Sequence, residues 1–331
     1  MPIIGADGNV LPYDWSSILQ AFEHIEMAHD LSMADALAAV HWSPVTDADK
    51  LALWFLCDFE WGLSPRDTPI CHTVPAPYHT AFGSSKQRLV ACSAGLLAPL
   101  EAALQSDQLR LGARVVAVSH DKERDVVVVS CQDQEYSART VIMTVSLNVL
   151  ASGAIAFVPP LPEEKVPTHQ CMAQYEIVLA EFASRFWAMT HDCMLFAGPP
   201  HMLVHDLGTY YDDRPILEFH IVGNDAVRVA TQTPKQTQDE LMVIMRKAFG
   251  EHTPEPIRIH CTSWSSNPLT LGAFSVRPHG MSDDDHALLR KPCMGGKLFF
   301  AGDGMHEVHT GYMHAAYLSG IDVARNVALL L

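Results

Sequence analysis

The chain has 331 residues, 48% of them hydrophobic, enough to bury the core of one large domain or two interleaved ones, which excludes a disordered chain. Its formal charge of −16, with only 22 lysines and arginines in the whole sequence, excludes nucleic acid as a partner, because phosphate binding needs clustered cations. A small cationic molecule suits that balance better.

Residues 14–58 carry helical periodicity, with Ile18, Phe22 and Ile25 on one face and Leu31, Ala34, Leu37 and Val40 on another. Ser32 is placed to cap the second of these helices. Residues 64–83, rich in Pro, Thr and His, read as an extended connector, and 96–104 as a short amphipathic helix. The period then changes to two. Residues 114–118 and 126–131, joined by the polar turn 120–125, predict a β-hairpin, and 140–145 is expected to complete a three-stranded meander. Pro159, Pro160 and Pro162 close that unit, and residues 175–182, 194–196, 202–205 and 216–222 predict a second sheet. Residues 237–249 form a helix with Met242, Met245 and Phe249 on its apolar face; 297–301 is a buried strand, and a long helix begins after Gly311.

The eight cysteines are scattered without a CxxC pair and read as reduced, mostly buried thiols. No apolar run approaches the roughly 18–20 residues of a membrane span, and the opening MPIIGADGNV lacks the basic and apolar regions of a signal peptide. A soluble chain away from membranes, cytoplasmic by default, is the expectation.

The chemistry concentrates near the carboxy terminus. Leu298-Phe299-Phe300-Ala301 runs into Gly302-Asp303-Gly304, and an almost wholly apolar helix follows. A strand, a glycine turn and a helix N-terminus make an anion cradle, and the glycines let the backbone approach a ligand. The segment is not a Rossmann fingerprint: the third glycine of GxGxxG would fall at Glu307, and the 24 residues beyond it are too few for a βαβ unit with its ribose-binding acid. No other GxGxxG follows a strand in the chain. His306, His309 and His314 lie close together, but His306 and His309 are three apart in a loop, unlike the helical HExxH pair, so no metal site is assigned.

KLFFAGDGMHEVHTGYMHAAYLSGID closely resembles the segment that closes the flavin site in flavin-containing amine oxidases, plant-type polyamine oxidases above all. Other stretches are similar to that family in the same order along the chain. They are Asp58-Phe59-Glu60-Trp61 with Ser64-Pro65-Arg66 and His72-Thr73-Val74-Pro75; the strand Arg114-Val115-Val116-Ala117-Val118; Thr144 to Leu150 with the proline-rich run ending at Pro162; and Trp264, Pro268, Gly272, Ala273, Phe274 and Ser275. The resemblance implies an α/β (α+β) chain with an incomplete two-domain flavin amine oxidase fold. Residues 1–83 and 161–285 would belong to the substrate domain, and 84–160 and 286–331 to the FAD-binding domain. It implies FAD as cofactor and a small cationic amine, a polyamine in particular, as substrate, oxidised to an imine with release of peroxide. Val115, Trp264, Gly302, Asp303, Gly311, Tyr312 and Met313 would then face the cofactor. Tyr175, Phe274 and Tyr312 would enclose the amine, and Glu60 would attract its positive charge.

Two departures accompany the resemblance. Family members carry a lysine in a strand reading roughly Tyr-x-Lys-Ile-x-Leu-x-Phe, where this chain reads Tyr175-Glu176-Ile177-Val178-Leu179-Ala180-Glu181-Phe182, so Ile177 takes the lysine's place. The family's amino-terminal GxGxxG unit is also missing, which is expected to leave the 114–131 hairpin and the 297–301 strand without neighbours. Three accounts of that stand open: a truncated product, a partner chain that supplies the unit, or a remnant that binds without catalysis. Truncation is favoured, with little FAD retained.

Overall fold

The computed structural model describes residues 3–5, 7–11, 14–25, 31–70, 92–105, 107–167, 171–187, 193–198 and 200–330. In chain order the first elements are strands β1 (Ile3–Gly5) and β2 (Val10–Leu11), then helices α1 (Ser16–Phe22), α2 (Met33–Ala39) and α3 (Asp47–Trp54). A π-helical turn, Phe55–Phe59, continues α3. Helix α4 (Cys92–Ala102) precedes β3 (Val115–Asp121), β4 (Val126–Cys131), β5 (Glu135–Ala138) and β6 (Val141–Met143). Then come α5 (Leu147–Ala151), β7 (Ala156–Val158), β8 (Tyr175–Glu181), β9 (Cys193–Ala197), β10 (Met202–Asp206) and β11 (Ile216–Val222). The last are α6 (Gly223–Val229), α7 (Pro234–Phe249), β12 (Arg258–Cys261), α8 (Asp283–Arg290), β13 (Leu298–Phe300) and α9 (Met313–Ala328). The chain divides into two compact units: Met1–Pro75 with His169–Met281, and Ala76–Thr168 with Ser282–Leu331. The connector is described only to residue 70, and the run at 72–75 lies outside the described residues.

The first unit is built on a seven-stranded sheet in the order β12-β8-β11-β10-β9-β1-β2, antiparallel except where β1 runs parallel to β9. Alternation decides which side chains go where. Val178, Ala180, Met202, Val204, Leu217, Phe219 and Ile221 point to one face and pack with Leu241, Met242 and Met245 of α7. That helix starts where it does because Thr233 and Gln236 form a capping box and Pro234 needs no amide partner in the first turn. On the other face Ile3, Leu195 and Leu203 pack with Leu51, Trp54, Phe55 and Phe59 from α3 and its continuation. Helix α3 has its own capping box, Thr46 with Asp49.

The second unit holds a four-stranded sheet, β5-β4-β3-β7, and a two-stranded one, β13-β6. The hairpin turn forms as its sequence predicts: Asp121 Oδ1 accepts from the amides of Glu123 and Arg124, both at 3.0 Å, and Asp125 takes a left-handed conformation, φ 56°. The meander is corrected. The third strand beside the hairpin is β5, residues 135–138, whereas β6 within the predicted 140–145 strand leaves it and pairs parallel with β13. Neither predicted orphan lacks a neighbour, because β13 has β6 and β3 gains β7 as a parallel partner. Helix α4 carries Leu96, Leu97 and Leu100 exposed to solvent.

Candidate functional site

In the first unit, residues 175, 177, 205, 218 and 220 share the sheet face on which Phe59 packs. Tyr175 opens β8, and its hydroxyl lies 2.8 Å from His220 Nδ1. Nε2 of the same ring is 3.1 Å from Glu218 Oε2. An ionised carboxylate only accepts, so Nε2 carries the proton and the Tyr175 hydroxyl donates to Nδ1. His205 stands directly across from Glu218 in the β10–β11 register, its ring 5.1 Å from that of His220. The Phe59 ring lies 6.1 Å from Tyr175 and 6.0 Å from His220, and Phe274 lies 5.9 Å from Tyr175. The fold therefore brings Tyr175 and Phe274 together and adds Phe59, His205, Glu218 and His220, which the sequence reading did not single out. Ile177 sits opposite His220 in the β8–β11 register.

Phe274 is held there by pairing of its segment with the chain before β8. Ala173 donates its amide to Phe274 O at 2.8 Å, and Ala273 donates to Ala173 O at 2.9 Å. At Gly272, φ 149°, a Cβ would come within 2.4 Å of Met172 Cβ, so only glycine permits this approach. Glu176, fully buried on the opposite face of β8, fixes the preceding turn. Its carboxylate accepts from the amides of Trp264 at 3.1 Å and Ser265 at 2.8 Å and from the Thr262 hydroxyl. Trp264 itself is exposed, and Glu60 is a solvent-exposed residue at the end of the π-helical turn. Two residues earlier, Asp58 has its carboxyl pushed up to about 7 by burial, and a Cβ on Gly223, φ 62°, would lie 2.9 Å from its Oδ1.

The remaining sequence-predicted site residues lie in the second unit. Val115 begins β3, half-buried, paired with Cys131 beside a bulge. Strand β13 leads into Gly302, whose φ of 145° favours glycine and whose missing Cβ would meet nothing within 4 Å. Ser319 ties that peptide to α9: its Oγ accepts from Gly302 N at 3.0 Å and donates toward Gly302 O at 2.8 Å. Asp303 opens a short 3-10 turn, Asp303–Met305, and its carbonyl accepts from Gly311 N at 3.2 Å; Gly311 has φ 87°. Tyr312 caps the N-terminus of the sixteen-residue α9 in an extended conformation, and Tyr312 and Met313 are exposed. A glycine turn with open space beside it thus adjoins the positive end of a long helix, an arrangement that holds an anionic group. Ser319 was not legible in advance; seventeen residues separate it from Gly302, and only a seryl among the apolar residues of α9 marks it.

The histidines at 306, 309 and 314 do gather, with ring centroids 5.0 Å apart for His306 and His309 and 4.7 Å for His309 and His314. His306 Nδ1 accepts from the amides of Val308 and His309, both at 3.2 Å, and is committed to the loop. Burial first, then the neighbouring His309, lowers the pKa of His306 and of His314. Lys165, buried, donates to Leu289 O at 2.8 Å and to Lys291 O, and lies 4.4 Å over the Phe300 ring. Burial pulls its pKa down to about 8. It borders a cavity of about 500 Å³ that none of Gly302, Asp303, Gly311 or Tyr312 lines.

The model of the family described as flavin containing amine oxidoreductase matches residues 36–328. Among curated relatives, polyamine oxidase 7 of Oryza sativa subsp. japonica is 29% identical over 297 residues, 84% of this chain and 62% of its own length. Polyamine oxidase 1 of Zea mays is 29% identical over 301 residues, 85% of this chain and 60% of its own. The chain therefore spans 60–62% of the length of these relatives. Among solved structures, putrescine oxidase bound to putrescine aligns with a TM-score of 0.78 at 17% identity, covering 99% of this chain and 80% of that one. Cyclohexylamine oxidase from Brevibacterium oxydans IH-35A aligns with a TM-score of 0.73 at 20% identity, with the same coverage.

Proposed function

The chain belongs to the flavin containing amine oxidoreductase family, and on that premise we propose that it serves FAD-dependent oxidation of small cationic amines, diamines and polyamines in particular. The observation that carries this reading is the turn at Gly302, open where a Cβ would stand, tied by Ser319 to the second turn of α9 and by Asp303 O to Gly311, just ahead of the positive end of that helix. Such a turn accepts the flavin end of FAD, with Gly302, Asp303, Gly311, Tyr312 and Met313 as its contacts and Val115 of the same unit for the adenine end. On this reading the second unit is the FAD-binding domain and the first the substrate domain.

FAD, where held, would supply a hydride acceptor for the carbon beside the amine and a route for electrons to dioxygen, the chemistry that gives imine and peroxide. The chain's own part is to bind and orient. In the first unit Tyr175 and Phe274 offer aromatic faces to an amine that is cationic in water, and Glu60 supplies negative charge. Ile177 cannot donate a hydrogen bond or hold a water, and it favours a second reading, a binding protein without catalysis.

Both readings meet in one experiment on the product of the full transcript. Amine oxidation predicts a flavin absorbance band at about 450 nm and peroxide release with putrescine, spermidine or spermine. Flavin without peroxide from any of these amines overturns the substrate assignment and leaves the binding protein; absence of flavin from a folded full-length product overturns the cofactor assignment.

A further inference from the structure

The geometry points to a divalent transition-metal site, zinc its best match, formed by His205, Glu218 and His220 on the sheet of the first unit. One ligand atom from each of the three lies within 4.8 Å of the others. Register produces the cluster. Glu218 and His220 are two apart on β11 and so share a face, and His205 on β10 is the direct cross-strand partner of Glu218. Three donors on adjacent paired strands are held by the ladder, which no loop site could match for rigidity.

Four further features fit a metal. The donor set is two imidazoles and one carboxylate, which suits zinc with a fourth position left to water or an exogenous ligand. Zinc bonds of about 2.0–2.2 Å place tetrahedral ligand atoms about 3.3–3.6 Å apart. His220 Nε2 and Glu218 Oε2, at 3.1 Å, already stand near that spacing, and a His205 nitrogen lies within 4.8 Å of both. Both of these side chains are largely buried, with 12% and 10% exposure, so the ligands are pre-set and shielded from bulk water. Finally, the second nitrogen of His220 has a partner, the Tyr175 hydroxyl at 2.8 Å. With metal on Nε2, the ring proton resides on Nδ1 and is donated to Tyr175 Oη, the outer contact that orients a ligating histidine. The phenol then accepts where it donates in the metal-free protein, and its ring stays fixed between Phe59 and Phe274.

The site borders the proposed amine enclosure through Tyr175, but its test needs no flavin and no turnover. The purified chain, freed of metal by chelator, is titrated with zinc chloride against a chromogenic chelator, and separately with cobalt chloride while the visible spectrum is recorded. One zinc per chain with micromolar or tighter affinity is expected, and cobalt should show the d–d bands of a four- or five-coordinate nitrogen and oxygen site. His205→Asn, His220→Asn and Glu218→Gln should each weaken zinc binding at least ~10-fold, and Tyr175→Phe by ~10-fold through the outer contact. His309→Ala, in the other imidazole cluster, should leave it unchanged. Circular dichroism of each variant separates loss of fold from loss of ligand. If folded ligand variants bind zinc as the wild type does, or the wild type shows no saturable uptake or only an octahedral cobalt spectrum, the site does not exist.

Discussion

At Asp58 the sign of a titration becomes a measurable property. Its carboxyl, ordinarily ionising near 3.8, is raised to about 7 because burial disfavours the charge, with Asp225 and Asp67 nearby adding to the effect. Folded protein therefore holds this proton where unfolded chain has lost it. The stabilisation is complete below the unfolded value and lost as pH rises through the folded one. From pH 4 to pH 7 the urea midpoint of the wild type should fall relative to that of Asp58→Asn. Gly302→Ala tests the turn at the same scale. The space beside Gly302 is open, but φ 145° is strained for any other residue, so a loss of ~1–3 kcal/mol is expected by denaturant melts. The added methyl would also occupy the space proposed for the flavin, and retained flavin absorbance in the full-length variant would speak against that placement. These residues differ in how far sequence exposes them. Gly302 stands in a readable strand–glycine–helix pattern, whereas nothing around Asp58 announces that its carboxyl is withdrawn from water.

Among elements, α7 and α9 show how local chemistry and tertiary contact divide the work. The capping box of α7 is written in Thr233 and Gln236, and Thr233→Ala should cost ~1 kcal/mol by urea unfolding. Ser319 in α9 acts at a distance instead. Removing its hydroxyl unties both polar groups of the Gly302 peptide, and Ser319→Ala should cost ~1–3 kcal/mol and loosen the turn, read as faster amide exchange at Gly302. Strands β8, β10 and β11 are legible because one face of each is apolar and alternation marks it. Strands β1, β2, β5, β7 and β12 are two to four residues long, too short for a period to emerge. Strand β6 was legible as a strand and misassigned as a partner. Adjacency in sequence favours the hairpin, but the meander position is filled by β5, and among the described residues β6 pairs parallel with β13.

For the whole molecule, both compact units are discontinuous in sequence. The sheet of the first unit closes with β1 and β2 from the amino-terminal stretch, and Leu51, Trp54, Phe55 and Phe59 from that stretch cover one of its faces. A fragment of residues 169–281 alone should therefore keep strand content by circular dichroism yet bind a hydrophobic dye and unfold without a sharp transition; a cooperative, dye-free fragment would contradict this. Family, fold class and the strand–glycine–helix segment that begins at Leu298 were set by the sequence itself, because motif order and period are properties of the chain read along its length. The pairing of β6 with β13, the tie from Ser319 to Gly302, and the meeting of Tyr175, His205, Glu218 and His220 were decided only in three dimensions. These contacts join separate elements, and it is strand register and packing, long-range and invisible to any local window, that bring them together.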